Sequence, residues 1–332
     1  MGWSSSYHSF ALRPLRGAAA VACALGPATP RGDGARPCAD AIDVGAPGSQ
    51  TRGVSPILVL PFPVIDPVLF AFGPVIVRWY ALAYIFGLIL GWLYTRALVR
   101  RPALWGGRAH PTAESLDDLL VYATFGTIVG GRLFNVLFYG LDYYLARPAE
   151  ILAVWNGGMA FHGGVLGVGL ALWIFARRGG YPPLSVADLC SAAAPIGILF
   201  GRLANFIKPE LWGRPTDVAW AMVFPGAGPL PRHPSQLYEA GLEGLLLFCV
   251  LALAIVRGGL RRPGLVSGVF GLGYAVSRIV SEMFREPDPQ LEALGPFWTM
   301  GMVLSLPMAA AGLVLIVRSL RAPATAAPDR AA

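Results

Sequence analysis

Long apolar stretches alternate along this chain with short connections that carry most of the charge. From Ile57 onward the apolar stretches cover approximately 68–97, 116–139, 160–176, 187–206, 237–256, 264–284 and 296–318. Their lengths cluster near the ~20 residues that a helix needs to cross ~30 Å of hydrocarbon. Only helices satisfy their own backbone within a single spanning segment, so the pattern predicts helices. A soluble fold would have to bury nearly every one of them on all sides. The expected architecture is all-α: a polytopic membrane bundle of about seven transmembrane helices, with a small insertion at 207–236 between the fourth and fifth.

The connections sort by charge. The first carries Arg100, Arg101 and Arg108, the third Arg177 and Arg178, the fifth Arg257, Arg261 and Arg262, and the tail Arg318 and Arg321. In the second, Arg147 stands beside Asp142 and Glu150, and in the sixth Arg285 stands among Glu286, Asp288 and Glu292. The fourth carries Lys208, Arg214 and Arg232. Basic connections stay cytoplasmic. The odd connections and the C-terminus are therefore expected inside, and the start of the first helix with the even connections outside, which an odd number of crossings satisfies. Composition agrees: 55% of the 332 residues are hydrophobic and 14% charged, where a soluble domain carries about 25% charged. The net charge of +7 is spread between apolar runs rather than gathered in one patch, which suits lipid headgroups and argues against nucleic acid. Residues 1–55, rich in Ala, Gly, Pro, Ser and Arg, lack periodicity and read as a disordered extension or a mis-assigned start. The membrane domain is then 56–321, followed by a cytoplasmic tail at 322–332. The four cysteines, Cys23, Cys38, Cys190 and Cys249, have no metal-ligand spacing, and neither do the histidines, so no metal or other cofactor is expected.

A charge at mid-bilayer costs on the order of 3 kcal/mol on insertion scales, so each one in a span asks for a partner or a task. Arg202 and Asn205 share a face near the outer end of the fourth helix. Tyr274, Arg278 and Glu282 form a stripe on the outer half of the sixth. Arg78, Trp79 and Tyr80 open the first, His162 stands at the outer start of the third within NGGMAFHGG, and Glu239 and Glu243 lie one turn apart at the start of the fifth. Singly, each has a plain structural reading: an ion pair for Arg278 and Glu282, snorkelling for Arg202, interfacial aromatics for Trp79, Tyr80 and Tyr274, and close helix packing for Gly157, Gly158, Gly163 and Gly164. Together, five helices bring polar groups to one level of the membrane. Two arginines there suit phosphate oxygens, because a guanidinium presents a planar fork of donors and keeps its charge.

The stretches RWYALAY from Arg78, GGRLFNVLFY from Gly130, WNGGMAFHGG from Trp155, GRLANFIKPELWGR from Gly201, RHPSQLYEAGLEG from Arg232 and YAVSRIVSEMFREPDPQ from Tyr274 resemble, in order and spacing, the prolipoprotein diacylglyceryl transferase family. The resemblance implies transfer of a diacylglyceryl group from phosphatidylglycerol to the lipobox Cys of a preprolipoprotein signal peptide, in the bacterial inner membrane and on its periplasmic side. It implies functional roles for His162, Arg202, Asn205, Glu210, Gly213, Tyr274, Arg278 and Glu282, with Tyr80 and Asp188 at further family positions. The thiol it implies needs a base or a positive field to become thiolate, and His162 or Tyr274 could serve. Glu243 joins them as an expected substrate contact. Two positions depart from the family pattern. Ala81 follows RWY where Gly is usual, and Lys208-Pro209 replaces Asn-Gly, setting a cation and a rigid φ beside Glu210. The competing classes are a transporter of an anionic solute, against which stands the absence of an internal repeat and of midplane polar groups, and a non-catalytic lipid scaffold, which needs no converging His, Tyr and Glu.

Overall fold

The computed structural model describes residues 60–63, 65–73, 75–286 and 299–322. The expected extension at 1–55, Asp288 and Glu292 of the sixth connection, and the tail after Ala322 lie outside the described residues. In chain order come a strand pair, β1 (Val68–Phe72) and β2 (Val75–Arg78), then α1 (Trp79–Val99), α2 (Ser115–Tyr139), the short α3 (Leu141–Ala146), α4 (Phe161–Arg178), α5 (Pro183–Ile207), α6 (Ser235–Glu239), α7 (Leu247–Val256), α8 (Leu265–Glu282) and α9 (Met300–Arg321). Ala240–Leu246 is wound as a π-helix, so α6 and α7 form one continuous helical rod.

The protein is mostly helical, with two corrections to the expected all-α pattern. Residues 68–78, read as the first turns of a helix, form an antiparallel ribbon pairing Phe72 with Val75 and Phe70 with Val77. Gly73 turns the chain at φ +56°, and the β-branched run Val75, Ile76, Val77 favours extended backbone. Helix α1 therefore starts only at Trp79. Arg177 and Arg178, read as connection, lie in the last turn of α4, where cations offset the negative end of the helix.

Five helical stretches are long and apolar enough to cross a membrane: Trp79–Val99, Ser115–Tyr139, Pro183–Ile207, Ser235–Val256 and Met300–Arg321. Of the other two expected spans, α4 carries Arg177 and Arg178 and α8 carries Arg278 and Glu282. Large apolar side chains face outward, among them Phe86, Phe125, Leu170, Leu253 and Leu313. In water this surface would be an extended hydrophobic patch; in a bilayer it is a lipid contact.

The buried apolar cluster lies at one end of the bundle. It gathers Leu98 from the end of α1, Leu119 from the start of α2, Phe175 from the end of α4, Leu189 from the start of α5, Ile255 from the end of α7 and Val266 from the start of α8. These helix ends adjoin the arginine-rich connections. At this end the fully buried Asp188 of α5 accepts bonds from Gly264 N and Ser267 N, both at 2.7 Å, and from Ser267 Oγ at 2.8 Å. It thereby supplies from a neighbouring helix the cap that α8 lacks in its own sequence.

Helices α2 and α4 pack through glycines. A Cβ on Gly130 would stand 2.7 Å from Gly167 Cα, and one on Gly167 would stand 2.9 Å from Gly130 Cα. Backbones this close gain dispersion contact that no larger residue allows. By contrast, a Cβ on Gly169 meets nothing within 4 Å. Gly167→Ala should therefore lower stability in detergent by about 1–3 kcal/mol, read as a fall in the thermal midpoint, while Gly169→Ala leaves it unchanged. Asp188→Ala should cost at least ~2 kcal/mol by leaving buried donors unpaired; an unchanged midpoint would leave Asp188 as a substrate contact instead.

Candidate functional site

At the end of the bundle opposite the apolar cluster, α5, α6 with its π-turn, and α8 converge on a set of buried charges. Glu239 closes α6 and Glu243 lies four residues on, within the π-helical segment, and neither side chain has any exposure to solvent. Unshielded carboxylates in such a place would be prohibitive, so cations must meet them. Arg202 of α5 reaches both: its Nη1 lies 3.0 Å from Glu239 Oε2 and its Nη2 3.2 Å from Glu243 Oε2. From α8, Arg278 Nη1 lies 2.9 Å from Glu239 Oε1 and 3.6 Å from Glu243 Oε1, while its Nη2 pairs with Glu282 one turn on. Arg285, just past α8, adds a contact of 3.2 Å to Glu239 Oε1. Glu239 is thus shared by three guanidinium groups.

The charges of this cluster balance: Arg202, Arg278 and Arg285 against Glu239, Glu243 and Glu282. Each carboxylate fixes the plane of a guanidinium, and each guanidinium has donors left over, since Arg carries five N–H groups. The side chains of Arg202 and Arg278 keep 17% and 14% of their surface exposed, so those donors are reachable from outside. Tyr274, one turn before Arg278 on α8, packs against the apolar core with its ring 5.9 Å from that of Phe270.

A second group adjoins the first through Asn205, on the same face of α5 as Arg202. Asn205 Nδ2 donates to Glu210 Oε1 at 2.7 Å, and Lys208 Nζ pairs with Glu210 Oε2 at 2.7 Å. Lys208 Nζ also lies 5.8 Å from the centre of the Tyr80 ring, and Tyr80 Oη is 3.3 Å from Tyr84 Oη. The Lys208 that departs from the family pattern therefore neutralises Glu210 rather than crowding it. Gly213 sits where a Cβ would lie 2.5 Å from Phe284 O and 2.6 Å from His233 O. That close approach lets the 213–214 backbone lie against Phe284 and Arg285, with Arg214 N donating to Phe284 O at 2.9 Å and Arg214 Nε to Arg285 O at 2.7 Å. The insertion is in this way fastened to the residue that completes the cluster. Burial pushes the pKa of the His233 imidazole below its ordinary value, favouring the uncharged ring.

The remaining expected residues lie elsewhere. His162, in the first turn of α4, is exposed and faces the rings of Phe134 and Phe161 at 6.1 and 5.7 Å; among the described residues it has no hydrogen bond or ion pair with the cluster. The segment leading into α4 is pinned by Arg132 of α2, a buried arginine that donates to the carbonyls of Glu150, Ile151, Ala153, Gly157 and Gly158. Gly158, at φ +75°, has Arg132 Nη1 2.8 Å from where a Cβ would be, so only glycine fits there. Asp188 caps the start of α8, about 20 Å along that helix from Arg278. Sequence reading placed Arg285 only in a connection and brought Glu239 to the polar level without giving it a role. The signal available for Arg285 was its spacing from Glu282.

The sequence model of the prolipoprotein diacylglyceryl transferase family matches residues 67–318. Among similar proteins, the phosphatidylglycerol–prolipoprotein diacylglyceryl transferase of Methylocella silvestris is 58% identical over 81% of this chain and 99% of its own length. Proteins of the same name from Beijerinckia indica and Rhizobium meliloti are 57% and 53% identical, over 79% and 81% of this chain and 96% and 98% of theirs. With this coverage and a site drawn from the same stretches, the chain belongs to the prolipoprotein diacylglyceryl transferase family.

Proposed function

We propose that this protein transfers the diacylglyceryl group of phosphatidylglycerol to the lipobox cysteine of a preprolipoprotein. The cysteine sulfur attacks the glycerol carbon that bears the phosphate. A carbon–sulfur bond forms, the carbon–oxygen bond breaks with its electrons going to oxygen, glycerol phosphate leaves, and a base takes the thiol proton. The observation that carries this reading is the meeting of Arg202 and Arg278, from two different helices, on the same buried carboxylates. Negative charge grows on the leaving phosphate during the reaction, and donors already fixed in direction stabilise it without reorganising. Because the cluster is neutral, it binds the lipid phosphate through aimed N–H groups rather than through net charge. Asn205, Glu210 and Tyr80 line the approach and offer partners for the glycerol hydroxyls, with Gly213 and Glu282 holding the arginine geometry. Tyr274 or His162 takes the proton: Tyr274 lies one turn from Arg278 on the same helix, whereas His162 serves if the thiol enters between α4 and the cluster.

The same reading has the bundle crossing the bacterial inner membrane seven times, with α4 and α8 as the two further spans. The site and the 207–236 insertion face the periplasm and the C-terminus faces the cytoplasm. The arginines at the opposite end, next to the apolar cluster, support that orientation.

Purified protein incubated with phosphatidylglycerol and a lipobox peptide should add one diacylglyceryl unit to the peptide mass, and Cys→Ser in the peptide should abolish the gain. No gain, together with solute uptake into liposomes, would favour a transporter. Arg202→Ala and Arg278→Ala should each cut transfer by ~10²–10³-fold while the protein still accumulates, since Glu239 keeps its other arginines. Near-normal activity in either removes the phosphate clamp. Tyr274→Phe and His162→Gln separate the two bases: loss of the true base abolishes transfer at saturating lipid, whereas the other change acts on KM.

A further inference from the structure

We infer that Gly301 is a positioning residue for the lipid site: the missing side chain leaves the space in which Glu282 takes hold of Arg278. This rests on the transferase reading above. Helix α9 begins against the outer part of α8, and a Cβ built on Gly301 would overlap Glu282 Oε1, lie 2.8 Å from its Cδ and 3.0 Å from Arg278 Nε. The start of α9 is held in helical form by its own contacts: the buried Thr299 caps the first turn by accepting from Met302 N at 3.2 Å, and the buried Ser305 donates to Gly301 O at 2.6 Å. Further along, a Cβ on Gly312 would stand 2.6 Å from Leu272 N, so the two helices already touch through backbone. The group that must give way to any side chain at 301 is therefore the end of Glu282. That end is flexible, so the fold tolerates the shift, but Glu282 Oε1 is the atom that pairs with Arg278 Nη2. Moving it releases one side of the guanidinium that the lipid phosphate needs fixed. Gly301 is not among the glycines with positive φ, so alanine suits its backbone, and the conflict is the overlap with Glu282 together with the close approach to Arg278 Nε.

The test uses full-length protein in phosphatidylglycerol nanodiscs, with transfer to a lipobox peptide read by mass. Gly301→Ala should lower kcat ~10- to 100-fold with a thermal midpoint within about 2 °C of wild type. Glu282→Asp already withdraws the carboxylate that the alanine would displace, so both changes act through one contact, and adding Gly301→Ala to Glu282→Asp should cost less than about a further twofold. A merely structural glycine would give the opposite pattern, with the losses multiplying. Transfer by Gly301→Ala within about twofold of wild type, or a double variant at the product of the single effects, overturns the inference. Should Gly301→Ala fail to accumulate, the double variant must accumulate; failure of both overturns it as well. A wild-type chain that transfers nothing overturns the transferase reading instead. Gly301 is then judged by whether Gly301→Ala loses the thermal stabilisation that phosphatidylglycerol gives the wild type, and retained stabilisation overturns the inference.

Discussion

Glu239 is a carboxylate without solvent, held by Arg202, Arg278 and Arg285 from two helices and the segment after α8. In a low-dielectric interior none of these groups is tolerable alone, and removing one partner from a buried pair typically costs 3–5 kcal/mol. Their mutual dependence fixes three backbone segments relative to one another: α5, the π-wound start of the α6–α7 rod, and the end of α8. The π-turn matters for this reason. Such segments are rare and recur at functional sites, and here one carries Glu243 into reach of the same arginines that Glu239 holds.

The rest of the architecture can be understood as keeping that cluster dry and aimed. The apolar core and the Asp188 cap stabilise the far end of the bundle, leaving the polar end free to be shaped by ion pairs and by the insertion. Glycines at Gly213, Gly158 and Gly301 share one task at three places: each lets backbone or an ionised side chain come closer than a Cβ would allow. Neutrality of the cluster has a chemical consequence. On the transferase reading, an anion entering it would be bound by direction rather than by excess charge, which would favour a group whose charge develops during reaction over one that is merely negative at rest.

Much of this was legible in the sequence because spanning helices are spelled by composition over ~20 residues, and because charge inside a span is costly enough to be informative. The positions of α2, α5 and α8, and the convergence of Arg202, Glu243, Arg278 and Glu282, followed from those two facts. The ribbon at 68–78 did not, since an apolar run of β-branched residues reads alike as strand or helix until its turn is seen. Arg285 escaped because its partners are set by where α8 ends, a boundary that composition marks poorly. The role of Arg132 escaped because its five acceptors are backbone carbonyls, which carry no side-chain signature. Asp188 matched a family position, yet the sequence cannot reveal that its oxygens are occupied by the α8 terminus.

The central claim, that two guanidinium groups oriented by shared carboxylates grip a lipid phosphate, is most directly tested by locating that phosphate. A cryo-electron microscopy map of the protein in phosphatidylglycerol nanodiscs should place it within about 2.7–2.9 Å of N–H groups of both Arg202 and Arg278, with Glu239 still bridging them. A headgroup resolved elsewhere, with both arginines paired only to Glu239 and Glu243, would contradict the account.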